Sequence, residues 1–130
     1  MRDYFTIGIS GDYKDVVAKI LAQAQSDPCI LHLDREKLGH SLIFCPSPEV
    51  ADFMRQRFEE SGAVSPSMCV LRLNEFGIFV NQECADDSRE GMAEFVKWIL
   101  RTFAPCRVFD SDADKDISEL ASQKPQALFE

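Results

Sequence analysis

Hydrophobic and polar positions alternate at the start of the chain. In the segment YFTIGIS, residues 4–10, the apolar side chains of Phe5, Ile7 and Ile9 fall on one side, and smaller or polar residues fall on the other. A period of two is typical of a strand that buries one face. The sequence therefore predicts a first strand here.

Three later segments have apolar residues at spacings of three and four, which is typical of amphipathic helices. The first covers residues 12–26 and has Asp12 as its N-cap. The second, SPEVADFMRQRFEESG, begins after a capping Ser47, has a proline at its first helical position, and meets Gly62 just past its end. The third begins near Asp87 and ends before a proline.

Strand-like runs fill the intervals between these helices, at residues 29–34, 40–45, 68–81 and 106–110. The run at 68–81 is long enough for a hairpin. The resulting order, βαββαββαβ, predicts an α/β fold of the α+β type, a two-layer sandwich. We expect a mixed or largely antiparallel sheet with three helices on one face and a ferredoxin-like first half. A single domain is expected over residues 1–124, with 125–130 as a short, loose tail.

One short segment recurs: CILHLD, from Cys29, returns as CVLRLN, from Cys69. Duplication of a ββα unit and a chance match both remain open. If all three helices pack on one face, alternation leaves a set of mixed apolar and charged residues on the other face of the sheet. These residues are Ile30, His32, Asp34, Val70, Arg72 and Asn74. Such a face is typical of homodimerisation, of a covering terminal segment or of a protein ligand.

Composition narrows the classes of partner. The 130 residues are 45% hydrophobic, enough for a core, and carry a formal net charge of −8. This charge opposes the counterion release that drives binding to a nucleic-acid backbone, so no nucleic-acid partner is expected. It favours encounter with a basic protein, although acidity can also serve solubility alone.

The five cysteines form an odd set without a CxxC pair, and no secretory leader precedes them. This pattern favours a reducing, cytoplasmic location and thiols that act as small core residues. The apolar runs are far shorter than the roughly 20 residues that span a bilayer, so no membrane association is expected.

The densest charge in the chain lies in DSDADKDISE, residues 110–119. A calcium loop starting at Asp110 would need Gly where Lys115 stands and Glu where Ala121 stands, so we expect neither a metal nor another cofactor. Asp116 is suited to cap a short terminal helix. The acidic cluster is nevertheless a candidate surface for a basic partner, and its members are Asp110, Asp112, Asp114, Asp116 and Glu119.

Two apolar residues fall in predicted turns, Leu38 in the first hairpin and Phe76 in the second. A large apolar side chain on an exposed turn can anchor a protein partner, and it can equally fold back on the sheet edge. We therefore add both residues to the candidate partner-binding set.

The only two histidines, His32 and His40, fall on facing strands of the first predicted hairpin. With Asp34 and Arg72 they form an alternative candidate site for a small ligand or for acid–base chemistry. Two histidines without a closely spaced third ligand do not predict a zinc site.

These observations favour a small acidic cytoplasmic protein that binds and neutralises another protein, as inhibitors, immunity proteins and antitoxins do. No catalytic motif is recognised, so an enzyme is not the first expectation. Two alternatives remain open: a small-ligand sensor or enzyme that uses the His/Asp/Arg cluster, and a structural homodimer joined through the uncovered sheet face.

Overall fold

A computed structural model of the chain describes residues 4–35, 39–62, 69–82, 86–111 and 113–129. Seven strands form one open sheet: β1 Tyr4–Ile9, β2 Ile30–Asp34, β3 His40–Phe44, β4 Cys69–Asn74, β5 Gly77–Asn81, β6 Cys106–Asp110 and β7 Lys115–Asp116. The helices are α1 Tyr13–Gln25, α2 Pro48–Ser61, α3 Asp86–Thr102, α4 Ser118–Gln123 and a 3₁₀ helix at Pro125–Phe129.

The strands lie in the spatial order β2-β3-β4-β5-β1-β6-β7, and all six pairings between neighbours are antiparallel. The predicted α/β class with a largely antiparallel sheet is confirmed. The predicted ferredoxin-like first half is not found. That arrangement is a split βαβ unit, whereas three strands, β3, β4 and β5, separate β1 from β2 here.

Local sequence signals place the first two helices. The Asp12 carboxylate accepts a hydrogen bond from the Lys14 N–H at 2.9 Å, and the Ser47 hydroxyl accepts one from the Val50 N–H at 3.2 Å. Both satisfy helix N–H groups that have no partner within the helix. Gly62 ends α2 with a φ of 70°, a conformation that glycine adopts without strain.

One face of the sheet, the closed face, carries the main core. Alternate side chains of all six long strands pack there against α1, α3, α4 and the 3₁₀ helix. Its fully buried members include Phe5, Ile7, Leu42, Leu71 and Leu73 from the strands and Ile20, Met92, Val96 and Ile99 from the helices. Burial of this apolar surface is the main source of stability of the fold.

Helix α2 packs on the opposite face, so the prediction that the three sequence-predicted helices share one face is not confirmed. Ala51 of α2 is fully buried in a second core cluster together with Leu31 and Ile43. These two residues face each other in the β2–β3 pairing and point away from the closed face. The β2–β3 end of the sheet is therefore covered on both sides.

The C-terminal residues assigned above to a loose tail are packed instead. Leu128 has no exposed surface, and its carbonyl accepts a hydrogen bond from the Gln82 side-chain amide at 2.8 Å. The Phe129 ring meets the Phe5 ring edge to face at 5.8 Å. This end of the chain therefore closes the core over β1. Among the described residues, none of the helices combines the length and the apolar character needed to cross a bilayer.

Candidate functional site

Beyond α2, the second face of the sheet is not covered by a helix of the described chain. We call this part the open face and define it by eight strand residues: Val70, Arg72 and Asn74 of β4, Phe79 and Asn81 of β5, Tyr4 and Thr6 of β1, and Phe109 of β6. The strand register places these residues side by side. Phe79 lies opposite both Arg72 and Thr6, and Asn81 lies opposite both Val70 and Tyr4. Side chains of directly paired residues share a face.

Seven residues of the open face, all except Phe109, form the floor of a cavity of about 740 Å³. Ligand pockets for small molecules are typically roughly 300–1,000 Å³, with apolar walls and a few convergent polar groups. Here the strand floor is joined by residues from the two hairpin loops, the start of α1 and the end of β6. The side chains that the loops and ends add include Arg35, Tyr13, Glu75, Phe76 and Ser111.

The charge of the pocket lining differs from that of the whole chain. Among the lining residues that the structure describes, two are cationic, Arg35 and Arg72, and one is anionic, Glu75. The chain as a whole has 22 acidic and 14 basic residues. The pocket is therefore a locally cationic surface on an acidic protein.

The β4–β5 hairpin holds an aromatic side chain at the rim of the pocket. Its two-residue turn is Glu75-Phe76, and the Asn74 side-chain carbonyl accepts a hydrogen bond from the Phe76 N–H at 2.8 Å. Gly77 has a φ of 145°, which favours glycine. Phe76 lies in this turn and is 80% exposed, so of the two alternatives given above it is exposed and does not fold back on the sheet edge.

The acidic cluster does not form one exposed surface. Asp110 is only 6% exposed and accepts a hydrogen bond from the Ala113 N–H at 3.1 Å. Asp116 accepts hydrogen bonds from the Ser118 hydroxyl and N–H and from Arg107, and these hold the pKa of its carboxyl at about 2. Asp114 and Glu119 are exposed. Two candidate partner residues, Asp112 and Leu38, lie outside the described residues.

The predicted cap of the terminal helix is shifted by one residue. Ile117 is the N-cap of α4 and makes no side-chain capping bond. Asp116 still accepts a hydrogen bond from the Ser118 N–H at 2.9 Å, because its carboxylate lies next to the first turn.

The alternative ligand cluster is divided between the two faces of the sheet. His32 Nε2 lies 3.0 Å from His40 Nδ1, and Asp34 is paired with His40 across the β2–β3 ladder. These three residues point to the same side of the sheet as the main core, which is the closed face. Arg72 points to the other side, the open face. It pairs with Ser41, and Ser41 pairs with Leu33, which belongs to the second core cluster on the side of α2.

The three free thiols of the described chain are poorly suited to nucleophilic chemistry. Burial is the first cause that raises the pKa of Cys29, Cys45 and Cys106, and the pKa of Cys45 rises to about 11. A thiol with a raised pKa holds less of the reactive thiolate at neutral pH. Cys69 is disulfide-bonded, so the expectation of free core thiols does not apply to it.

Most residues of the pocket lining are absent from the candidate sites predicted from the sequence. Tyr4, Phe79 and Asn81 lie on the outward side of strands that the alternation pattern did predict, so their orientation could have been inferred from the sequence. Arg35 and Tyr13 join them only through the tertiary structure. Among the residues that the structure describes, no three side chains of His, Cys, Asp or Glu converge as a metal site.

No protein-family model matches the chain, and neither the curated proteins nor the solved structures include a significant match. The functional conclusion therefore rests on the geometry of the open face.

Proposed function

We propose that the protein is a small-ligand-binding protein whose ligand occupies the open-face pocket. The observation that carries this proposal is the cavity of about 740 Å³, in which aromatic side chains and polar groups converge on a sheet floor. A strand floor is rigid, because its backbone is fixed by hydrogen bonds on both sides, and rigid floors position binding groups well. This role corresponds to the sensor alternative, but of the residues predicted for that alternative only Arg72 lines the pocket.

The test is a fragment screen followed by NMR amide chemical shifts of the ¹⁵N-labelled protein. Binding fragments are expected to shift amides of β4, β5 and β1, and Phe79→Ala should weaken them by about tenfold or more because the ring supplies part of the floor. Phe53→Ala is the matched control. Phe53 lies on α2 and is 57% exposed, away from the pocket lining.

Fragment shifts confined to α2 or to the closed face would contradict the proposal. A homodimer that covers the open face would contradict it as well. Sedimentation would then show a dimer that Phe79→Ala disrupts and Phe53→Ala leaves intact.

A second candidate function is the neutralisation of a partner protein, which the composition favoured. The observation that supports it is Phe76, a large apolar side chain held on a fixed turn and 80% exposed. Such residues are frequent anchors in protein interfaces. In this case Phe76→Ala would abolish capture of a stoichiometric protein partner, whereas Phe53→Ala would retain it.

A further inference from the structure

Arg72 differs from the paired arginines of the described chain. Arg55 lies 2.9 Å from Asp52, and Arg107 lies 2.6 Å from Asp116, so each of these guanidinium groups already has a carboxylate partner. Arg72 is exposed on the open face and makes no ion pair with the described residues. Its guanidinium is therefore available to an anion from outside the chain.

The neighbours of Arg72 form a site around it. In the ladder it stands between Ser41 of β3 and Phe79 of β5, which supply a hydroxyl and a ring on either side. Arg35 lies beyond β3, about 10 Å from Arg72 across the strands and two residues further along them. It is held near the Phe58 ring, with its guanidinium carbon 5.9 Å from the ring centroid.

Gly39, just before β3 in the first hairpin, adds no side chain to the pocket. The Arg35 N–H donates to the Gly39 carbonyl at 2.9 Å, so Gly39 is the residue that faces Arg35 across the hairpin. Gly39 has a φ of 86°, and any Cβ there would collide with the Leu73 carbonyl oxygen. Only glycine fits, and it contributes to the pocket lining without a Cβ.

We infer that the ligand of the open face is a small planar organic anion, whose charged group is bound by Arg72 with support from Arg35 and whose ring lies against Phe79. This inference rests on the proposed function. A guanidinium binds carboxylate and phosphate in a bidentate manner, and aromatic side chains favour planar partners.

A small anion is favoured over a polyanion by the charge of the chain. The net charge of −8 repels an extended acidic partner such as a nucleic-acid strand. For a small ligand in the pocket, the nearby arginines dominate, because the Debye length is only about 8 Å at physiological ionic strength. The cavity volume of about 740 Å³ also matches a single small molecule.

The test uses two matched pairs of probes, each an anion and its neutral analogue: indole-3-acetate with indole-3-ethanol, and adenosine monophosphate with adenosine. Calorimetric titration at about 50 mM salt is expected to give at least about tenfold tighter binding of the anion in one pair. The pair that shows the preference distinguishes a carboxylate ligand from a phosphate ligand. Arg72→Gln should remove the preference without unfolding the protein, since the side chain is exposed.

Arg101→Gln is the control, because Arg101 is exposed near the end of α3, outside the pocket lining, and its loss changes the net charge equally. A preference that Arg101→Gln reduces as much as Arg72→Gln would overturn the inference, since it would then reflect overall charge. Equal binding of anion and neutral analogue, weakened by Phe79→Ala, would overturn the inference and leave the proposed function standing. Binding of none of the four probes would overturn the inference, and the fragment screen would then decide the proposed function separately.

Discussion

The two hairpins of the sheet are built from strands of similar length but are covered differently. In the β2–β3 hairpin, all residues from Ser41 to Cys45 are buried, because α1 and α3 cover one face and α2 covers the other. In the β4–β5 hairpin, buried and half-exposed residues alternate along β5. The first hairpin is a core element on both sides, whereas the second has one side available for binding.

The largest expected effect is the difference in the free energy of unfolding between variants of Ile43 and of Val70. These two residues lie directly opposite each other and point to the same face. Ile43 is fully buried beneath α2, and Val70 is half-buried in the floor of the pocket. Ile43→Ala should lower the free energy of unfolding by about 2–5 kcal/mol, because it leaves a cavity in a covered layer. Val70→Ala should lower it by about 1 kcal/mol or less. Urea denaturation of both variants measures the difference.

Equal losses for the two variants would contradict the distinction between the hairpins. They would indicate either that α2 does not cover Ile43 or that another element covers Val70. A matching loss near 1 kcal/mol in both would favour the first explanation, and a matching loss above about 2 kcal/mol would favour the second.

The sequence contains the signal for this difference. An unbroken apolar run is typical of a strand buried on both faces, and strict alternation is typical of one buried face. SLIFC in β3 is of the first kind, and LRLN in β4 is of the second, whereas GIFVN in β5 has three consecutive apolar residues although its burial alternates. The run in β3 therefore indicates that a helix lies on each side, which the prediction of all three helices on one face did not take into account.

The phase of one strand relative to another is not visible in the sequence. A residue-by-residue alignment of CILHLD with CVLRLN predicts that His32 and Arg72 lie on one face. In the structure Leu31 stands in the row of Val70, with Ile43 between them, so the two segments have opposite phases. Register depends on pairing with β3, and a shift of one residue exchanges the faces.

No local sequence pattern predicts the packing of the C-terminal residues. The segment PQALF has neither a strand period nor the length of an amphipathic helix. Its order comes from residues far away in the chain, since Leu128 bonds to Gln82 and Phe129 contacts Phe5. Tertiary contacts of this kind override weak local propensity.

An effect of intermediate size tests how α2 is held on the β2–β3 hairpin. Ser47→Ala removes the hydroxyl that accepts from the Val50 N–H, and the free energy of unfolding should fall by about 1 kcal/mol. Ser61→Ala is the control at the other end of the helix, where the exposed hydroxyl donates to the Arg57 carbonyl, and it should change stability by less than about 0.5 kcal/mol. A loss from Ser47→Ala of less than about 0.5 kcal/mol would contradict a stabilising role for the N-terminal cap.

The smallest expected effect is a pH dependence specific to the first hairpin, which contains both histidines. Burial, and then the charge of His40, lower the pKa of His32 from about 6.5, while Asp34 partly opposes the shift. The folded state therefore binds a proton at His32 less readily than the unfolded chain. The resulting stability is present above about pH 6.5 and is lost as the pH falls through the folded-state pKa.

The free energy of unfolding should accordingly be lower at about pH 5.5 than at about pH 7.5, and His32→Gln should reduce this difference because it removes the titrating ring. Arg72→Gln, on the second hairpin, should leave the difference unchanged, since it keeps both histidines in place. An unchanged pH dependence in His32→Gln would place the titrating group elsewhere. A pH dependence lost in His32→Gln and retained in Arg72→Gln would show that the two hairpins differ in their response to pH as well as in their burial.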